Sequence, residues 1–476
     1  MDNAKKIKWY SLAFMAFSTV WGFGNVLNGF IYFNGIQVIF SWILMFALYF
    51  VPYALMVGEL GSAFKNHGGG VSSWVHETMG PKLAYYAGFT YWACHITYIA
   101  SKGSGGLKAL SWVVFQNSTV FASIKPLYIQ LATLVVFLFF SWVASRGLTP
   151  LKALTGAAGT SMFVMSILYI IMMFAAPAIN PNSHFVSMDF SWKNLIPQFN
   201  GKYFTSLSIL VFAVGGCEKI SPYVNKVEKP DKGFPKGMIA LAIMVMVCAI
   251  LGTVAMGMMF SPAEIAKNFD HYNANGSYIA FQKLGEYYSM GNILMIIYAI
   301  CNTIGQFSTL VLSIDAPLRM LLDNKDAREY IPSKLLKKNK FGAYINGIWL
   351  VVILSGSIIL VQSFVPGADK VLTQLTKLNA VCMTLRYLWV FAAYIALRTA
   401  VNYVKFPAEY RFVKNQVIAK FFGFWCFGVT AACDILGMYD ADGFTMALKI
   451  IAPLVLLALG LIMPVLAKRE KESQNA

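Results

Sequence analysis

The stretch WGFGNV (residues 21–26) sets Gly22, Gly24 and Asn25 inside an otherwise apolar run, and FAVGGCEKISPYV (212–224) interrupts another with Gly215, Gly216 and Pro222. The chemistry available to such stretches belongs to their peptide groups. Each glycine weakens a helix by about 0.5–1 kcal/mol, and proline removes a donor. A helix that comes apart there bares N–H groups at one new start and C=O groups at one new end. Bared donors, helped by the helix dipole, suit an anion, and bared acceptors suit a cation. Close helix packing is the competing explanation for small residues in such runs. Ionisable residues inside apolar runs are the other candidates: Glu59, Lys102, Lys108, Glu218, Lys219, Asp315, Lys377 and Arg386.

The elements that must position these groups are membrane helices. Of 476 residues, 58% are hydrophobic and 12% charged, and the apolar residues come in runs of about twenty separated by polar gaps. Lipid-exposed backbone has to satisfy its own hydrogen bonds, and the runs are too long and uniform for barrel strands. The pattern predicts an all-α polytopic membrane protein with twelve spans, at roughly 9–33, 37–64, 82–112, 127–145, 153–177, 203–225, 237–260, 291–318, 342–363, 371–397, 415–437 and 444–467. With the N-terminus cytoplasmic, the inner segments hold 26 lysines and arginines and the outer loops six. That asymmetry predicts a multi-pass protein of the cell membrane with both termini cytoplasmic. It also assigns the net charge of +17 to the anionic inner membrane surface rather than to nucleic acid. The first apolar run is too long for a cleavable signal and reads as the first span. The seven cysteines all fall within spans without a C-x-x-C pair, and read as small apolar packers rather than disulfides or metal ligands.

The two interruptions fall in spans one and six, which are equivalent positions if two five-helix halves repeat. Paired breaks at corresponding places in two halves point to a transporter's substrate site near the midplane. An odd number of spans per half inverts the second half relative to the first. The expected organisation is a 5+5 inverted repeat, residues 8–178 and 203–397, followed by two accessory spans in 415–467. Enzyme chemistry finds no support. The longest segments between spans, 178–202, 261–290 and 319–341, hold no nucleophile–base arrangement and no phosphate-binding loop. The five histidines lack metal spacing, and no cofactor is expected. Without an ATP-binding module, transport is secondary; a substrate-gated sensor or channel on the same scaffold is the competing class.

Several motifs carry a family resemblance. WGFGNV (21–26) resembles the glycine-rich first-span motif of the amino acid–polyamine–organocation permeases, and GELGSAFKNHGGGVSSWV (58–75) their second-span end and following loop. FAVGGCEKISPYVNKVEKPDKGFPKGM (212–238) is similar to their sixth-span signature and is the most specific part. DAPLRMLL (315–322) and LTKLNAVCMTLRYL (375–388) look most like the glutamate/GABA antiporter branch and its uncharacterised bacterial relatives. The resemblance runs from about residue 8 to 415.

The resemblance implies an amino-acid permease working by alternating access in the lipid bilayer, as a monomer or homodimer, with acidic amino acid or GABA-type exchange as one form. The backbone of Gly22, Phe23, Gly24 and Asn25 is expected to meet the substrate carboxylate, and the backbone around Phe212, Ala213, Gly215 and Gly216 its ammonium. Phe212 aligns with the aromatic that closes over substrate in the family; a core phenylalanine is the other reading. Glu218 aligns with the family's sixth-span glutamate. Lys219 directly after it departs from the family pattern and brings in a structural ion pair, so Glu218 stands between a proton-coupled switch and a packing element. Glu59, Asp315 and Arg386 should lie in the inner half of the bundle, counting ~1.5 Å per residue, as an inner-gate network or as side chains snorkelling to the surface. Lys102, one turn after Tyr98 in span three, either binds a side-chain carboxylate, favouring acidic substrates, or snorkels outward. Ser308 and Thr309 are candidate sodium ligands, against hydroxyls bonded to their own helix. Sodium-coupled symport and polyamine transport are the alternatives to proton coupling or plain exchange.

Overall fold

Each predicted span is helical in the computed structural model, which describes residues 6–181, 183–364 and 368–475. Among the described residues, ten helical stretches are long and apolar enough to cross a membrane. Two isolated bridges, Ile7–Val227 and Lys338–Tyr344, are the only extended pairings among the described residues. The protein is an all-α polytopic membrane protein. Two predicted spans stand apart from the ten. The first is in two pieces, Trp9–Val20 and Phe23–Tyr32, each too short to cross alone. The third, Pro81–Phe115, has 35 residues, about 50 Å of helix, and its apolar character is diluted by Lys82, Lys102 and Lys108.

The outside of the bundle is apolar, with Val135, Phe139, Ile353, Phe424 and Leu454 exposed where lipid would lie. Inside, small residues let backbones approach. A side chain at Gly159 would overlap the Phe14 carbonyl, and one at Gly106 the Phe307 ring. The seven cysteines are free, and all but Cys301 are buried.

Contacts between the connecting segments define the two ends of the bundle. At one end Ile7 N donates to Lys226 O at 2.9 Å, Asn339 Nδ2 to Ser145 O at 2.8 Å and Ser333 N to Glu470 Oε2 at 2.8 Å. Both ends of the described chain therefore meet there. At the opposite end Val186 N donates to Met258 O at 2.9 Å and Asn292 Nδ2 to Gln116 Oε1 at 2.9 Å. The opposite end also carries a 19-residue helix, Phe269–Tyr287, within the segment read from sequence as a connection. Its buried face of Tyr272, Tyr278, Phe281 and Leu284 is interleaved with polar residues, so it lacks the hydropathy of a span.

Candidate functional site

Two helices come apart at one place, and a third tightens into a turn beside them. Trp21 and Gly22 are extended, at φ −125° and −132°, between Trp9–Val20 and Phe23–Tyr32. Gly215 is extended at φ −73°, ψ 159°, and Gly216 takes the left-handed conformation at φ 106° that only glycine adopts without strain. The chain beyond Gly216 does not resume an α-helix. It winds as a tight 3-10 segment, Cys217–Lys226, around Pro222. The turn, between Ala368–Leu385 and Leu388–Leu397, lies at Arg386 and Tyr387, with Tyr387 N bonded to Thr384 O at 3.0 Å. Sequence reading missed it, because neither glycine nor proline marks it.

Asn25 ties the two breaks together. Its Nδ2 lies 3.2 Å from Val20 O and 3.2 Å from Ala213 O, the freed carbonyls of both helix ends. Thr19 Oγ1 donates to Ala16 O at 2.7 Å and lies 3.3 Å from Gly216 O. The first-span glycines differ among themselves, since a side chain on Gly29 would press on Trp42 at 3.0 Å. A Cβ on Gly22 would meet only Met162 Cε at 3.9 Å, and one on Gly24 only Ser277 Oγ at 3.7 Å. No neighbouring helix presses on either; both border open space. Gly215 differs, since a side chain there would overlap the Tyr387 ring.

That space is a cavity of about 470 Å³, bordered by Gly22, Phe23, Gly24, Asn25, Phe212, Ala213, Gly215 and Gly216. Tyr98, Lys102, Lys108, Lys219 and Arg386 also line it, and no aspartate or glutamate among the described residues does. It runs from the breaks toward the Phe269–Tyr287 helix, which contributes Asn273, Ala274, Ser277 and Tyr278. Lys108 Nζ donates to Ala274 O at 2.6 Å, and Trp112 stacks on Tyr278 at 4.9 Å between centroids, fixing this roof. Asn302, Gln306 and Thr309 form a polar stripe in the lining, with Asn302 Nδ2 donating to Tyr278 Oη at 2.8 Å. Sequence reading picked out Thr309, as an ion ligand, but neither the roof nor Asn302 and Gln306; the three-to-four-residue spacing of Asn302, Gln306 and Thr309 is the stripe's signal.

The ionisable residues divide into two groups. Lys219, 5% exposed, donates to Ser313 Oγ at 2.7 Å and lies 5.4 Å from the Tyr98 ring, whose centroid is 4.6 Å from Lys102 Nζ. Arg386 lies over the Tyr91 and Tyr387 rings at 4.8 and 5.3 Å, with Nη1 beside the His95 imidazole. Glu218 instead accepts from Tyr53 Oη, away from the cavity, and no Glu218–Lys219 ion pair is present among the described residues. Successive residues of a helical turn point in different directions, so the adjacent charges part company.

Glu59 and Asp315 form the second group, at the end where the chain's two ends meet. Glu59 is fully buried and pairs with Arg398 and Arg411, accepting also from Phe412 N at 2.9 Å and Tyr394 Oη at 3.2 Å. Asp315 Oδ2 accepts from Tyr223 Oη and Arg319 Nε, both at 2.6 Å. Neither carboxylate snorkels. Arg386 lies apart from them, on the cavity wall, so the expected three-residue network is replaced by Glu59 and Asp315 clusters built with Arg398, Arg411 and Arg319.

Phe212 borders the cavity and is 44% exposed rather than in the core, whereas the Phe23 side chain is buried among Tyr169, Phe281 and Tyr298. Thr309 Oγ1 bonds back to Gly305 O at 2.9 Å, and Ser308 is fully buried away from the cavity lining.

The family model for amino acid permeases matches residues 7–465. The chain belongs to the amino acid permease family. It is therefore a secondary amino-acid transporter, in agreement with the resemblance of its motifs. This permease is 47% identical over 485 aligned positions to the aspartate/glutamate permease AcaP of Lactococcus lactis subsp. cremoris (strain MG1363), covering 100% of this chain and 98% of the relative. It is 26% identical over 424 positions to the inner membrane transporter YjeM of Salmonella typhimurium, covering 82% and 81% of the two chains. A glutamate/gamma-aminobutyrate antiporter of Lactococcus lactis subsp. cremoris (strain MG1363) is 24% identical over 239 positions, 48% of this permease and 45% of the relative.

Proposed function

We propose that this permease carries acidic amino acids across the cell membrane by alternating access, holding them at the two helix breaks and the turn beside them. The observation that carries this reading is the charge of the cavity: Lys102, Lys108, Lys219 and Arg386 line it without a carboxylate. Glu218 lies within electrostatic reach of Lys219 and Arg386 but outside the lining, and a dicarboxylic amino acid adds at the cationic wall one negative charge that a neutral zwitterion does not. The likeness to an aspartate/glutamate permease supports the same substrate class.

In this reading the α-carboxylate meets the N–H groups opening the Phe23–Tyr32 half-helix at Phe23 and Gly24, with the dipole in its favour. The ammonium meets carbonyls at the end of Gly201–Val214, with Ala213 O already shared with Asn25. The side-chain carboxylate is left to the cationic wall. Phe212 swings over the occupied site, and the Glu59 and Asp315 clusters are the closed inner gate. The bundle then comprises twelve spans, with the inverted halves 8–178 and 203–397 and the accessory pair in 415–467. Both termini are cytoplasmic and the cavity faces outward, in keeping with the concentration of basic residues at the terminal end.

Reconstituted protein tests the proposal. Proteoliposomes should take up labelled L-glutamate and L-aspartate saturably, and unlabelled glutamine and asparagine should compete poorly. Equal competition by the amides overturns the acidic assignment. Saturable binding without flux would place the protein among sensors. Uptake that requires internal amino acid identifies exchange.

A further inference from the structure

Asp434 is a carboxyl group that nothing in the site described above uses. It lies in the helix Gln416–Met438, 3% exposed. Its Oδ1 is hydrogen-bonded to Thr384 Oγ1, its Oδ2 has no partner, and no lysine or arginine pairs with it among the described residues. The titratable groups facing it are Tyr49, whose hydroxyl is bonded to Thr430 Oγ1 at 2.8 Å, together with Cys382 and Cys433. None of these supplies positive charge.

The hydrogens can be counted. Thr384 Oγ1 lies within bonding distance of Asp434 Oδ1, of Ala380 O at 3.1 Å and of Val381 O at 3.0 Å, and a hydroxyl has one hydrogen to give. With an ionised carboxylate, that hydrogen is claimed by Asp434, and a charged Oδ2 stays buried without a donor. With a carboxylic acid, the acid O–H donates to Thr384, and Thr384 donates to its own helix. Every hydrogen is then placed. Thr384 is also the residue whose carbonyl accepts Tyr387 N at 3.0 Å in the turn that brings Arg386 and Tyr387 to the cavity.

We propose that Asp434 acts as a hydrogen-bond donor in its carboxylic acid form, and that its bond to Thr384 positions the turn presenting Arg386 and Tyr387 to substrate. It is a positioning residue. Its transport readout rests on the assignment of the cavity as the substrate site.

The test compares D434N, D434L and T384V in acidic amino acid uptake by proteoliposomes and in thermal melting. The asparagine amide can make the same donation. D434N should therefore keep KM within about twofold of wild type, with an unchanged pH profile, while D434L raises KM about five- to tenfold with little change in kcat. T384V should reproduce the D434L effect, and it carries the test should D434L fail to fold. D434N losing as much as D434L means that an ionised acceptor is required, which overturns the proposal. Wild-type KM in both D434L and T384V overturns it too. Should the wild-type protein carry no acidic amino acid, the cavity assignment fails by itself. Melting then still decides the bond: D434N at the wild-type temperature with D434L lower supports it, and equal loss in both refutes it.

Discussion

Replacing Lys219 with methionine should weaken acidic substrates strongly without weakening the fold. The Lys219 side chain is 5% exposed, its hydrogen bond goes to the Ser313 hydroxyl, the Tyr98 ring is 5.4 Å away, and Arg386, Lys102 and Glu218 act on it electrostatically. It forms no ion pair among the described residues, and exchanging a buried amine crowded by two other cations for an apolar side chain of similar length is neutral or stabilising. A substrate carboxylate about 3 Å away would attract it by about 5 kcal/mol at an effective dielectric constant of about 20. Desolvation of both groups removes much of this, leaving about 1.5–3 kcal/mol for a charge-assisted bond. The expected loss in affinity for glutamate and aspartate is therefore about 10- to 150-fold. Amide analogues have no side-chain charge to lose and should shift less than about threefold. Competition binding on the purified protein reads both ratios, and melting without ligand reads stability. The reasoning is refuted if glutamate and glutamine lose affinity equally, or if K219M melts well below wild type. Either result would make Lys219 a structural element.

Four further perturbations probe the remaining parts of the site. Gly24→Leu should abolish uptake with insertion and melting intact, since a Cβ there meets only Ser277 Oγ at 3.7 Å and the rest of the side chain enters the cavity; wild-type uptake would remove the site from the first break. Gly216→Ala should cost about 1–3 kcal/mol through its φ of 106° alone, because nothing but Thr19 O at 3.5 Å opposes the new Cβ; an unchanged melting temperature contradicts this. Glu59→Gln leaves Arg398 and Arg411 buried without their counter-charge and should destabilise the terminal end by about 3–5 kcal/mol, measured by denaturant melting of the purified protein. Lys102→Ala should weaken acidic substrates by about threefold, less than K219M, because Lys102 is only half-buried; an equal loss for neutral analogues would make it structural.

The parts of this site that could be read along the chain are those where backbone chemistry leaves no choice. Gly22, Gly215, Gly216 and Pro222 mark breaks because helix is unfavourable there in almost any surroundings. The turn at Arg386–Tyr387 has no such mark in MTLRYLWV, and its cause lies elsewhere in the bundle. Tyr387 is 2% exposed, and its ring occupies the volume that a side chain on Gly215 would fill. The glycine that frees the second helix thus also makes room for the residue around which the third one bends. Asp434 is unmarked in the sequence for a related reason: its partner Thr384 lies 50 residues earlier, and its burial is set by the neighbouring helices. The Glu218–Lys219 pair is the most instructive case. Adjacency in sequence suggests mutual neutralisation, yet around a tight turn the two side chains diverge, one to Tyr53 and the other to Ser313 at the cavity. Had they paired, the cavity would have lost a cation and held a carboxylate at its edge. The sign of the charge presented to substrate therefore depends on how residues 217–226 wind, and the composition of that segment cannot reveal it.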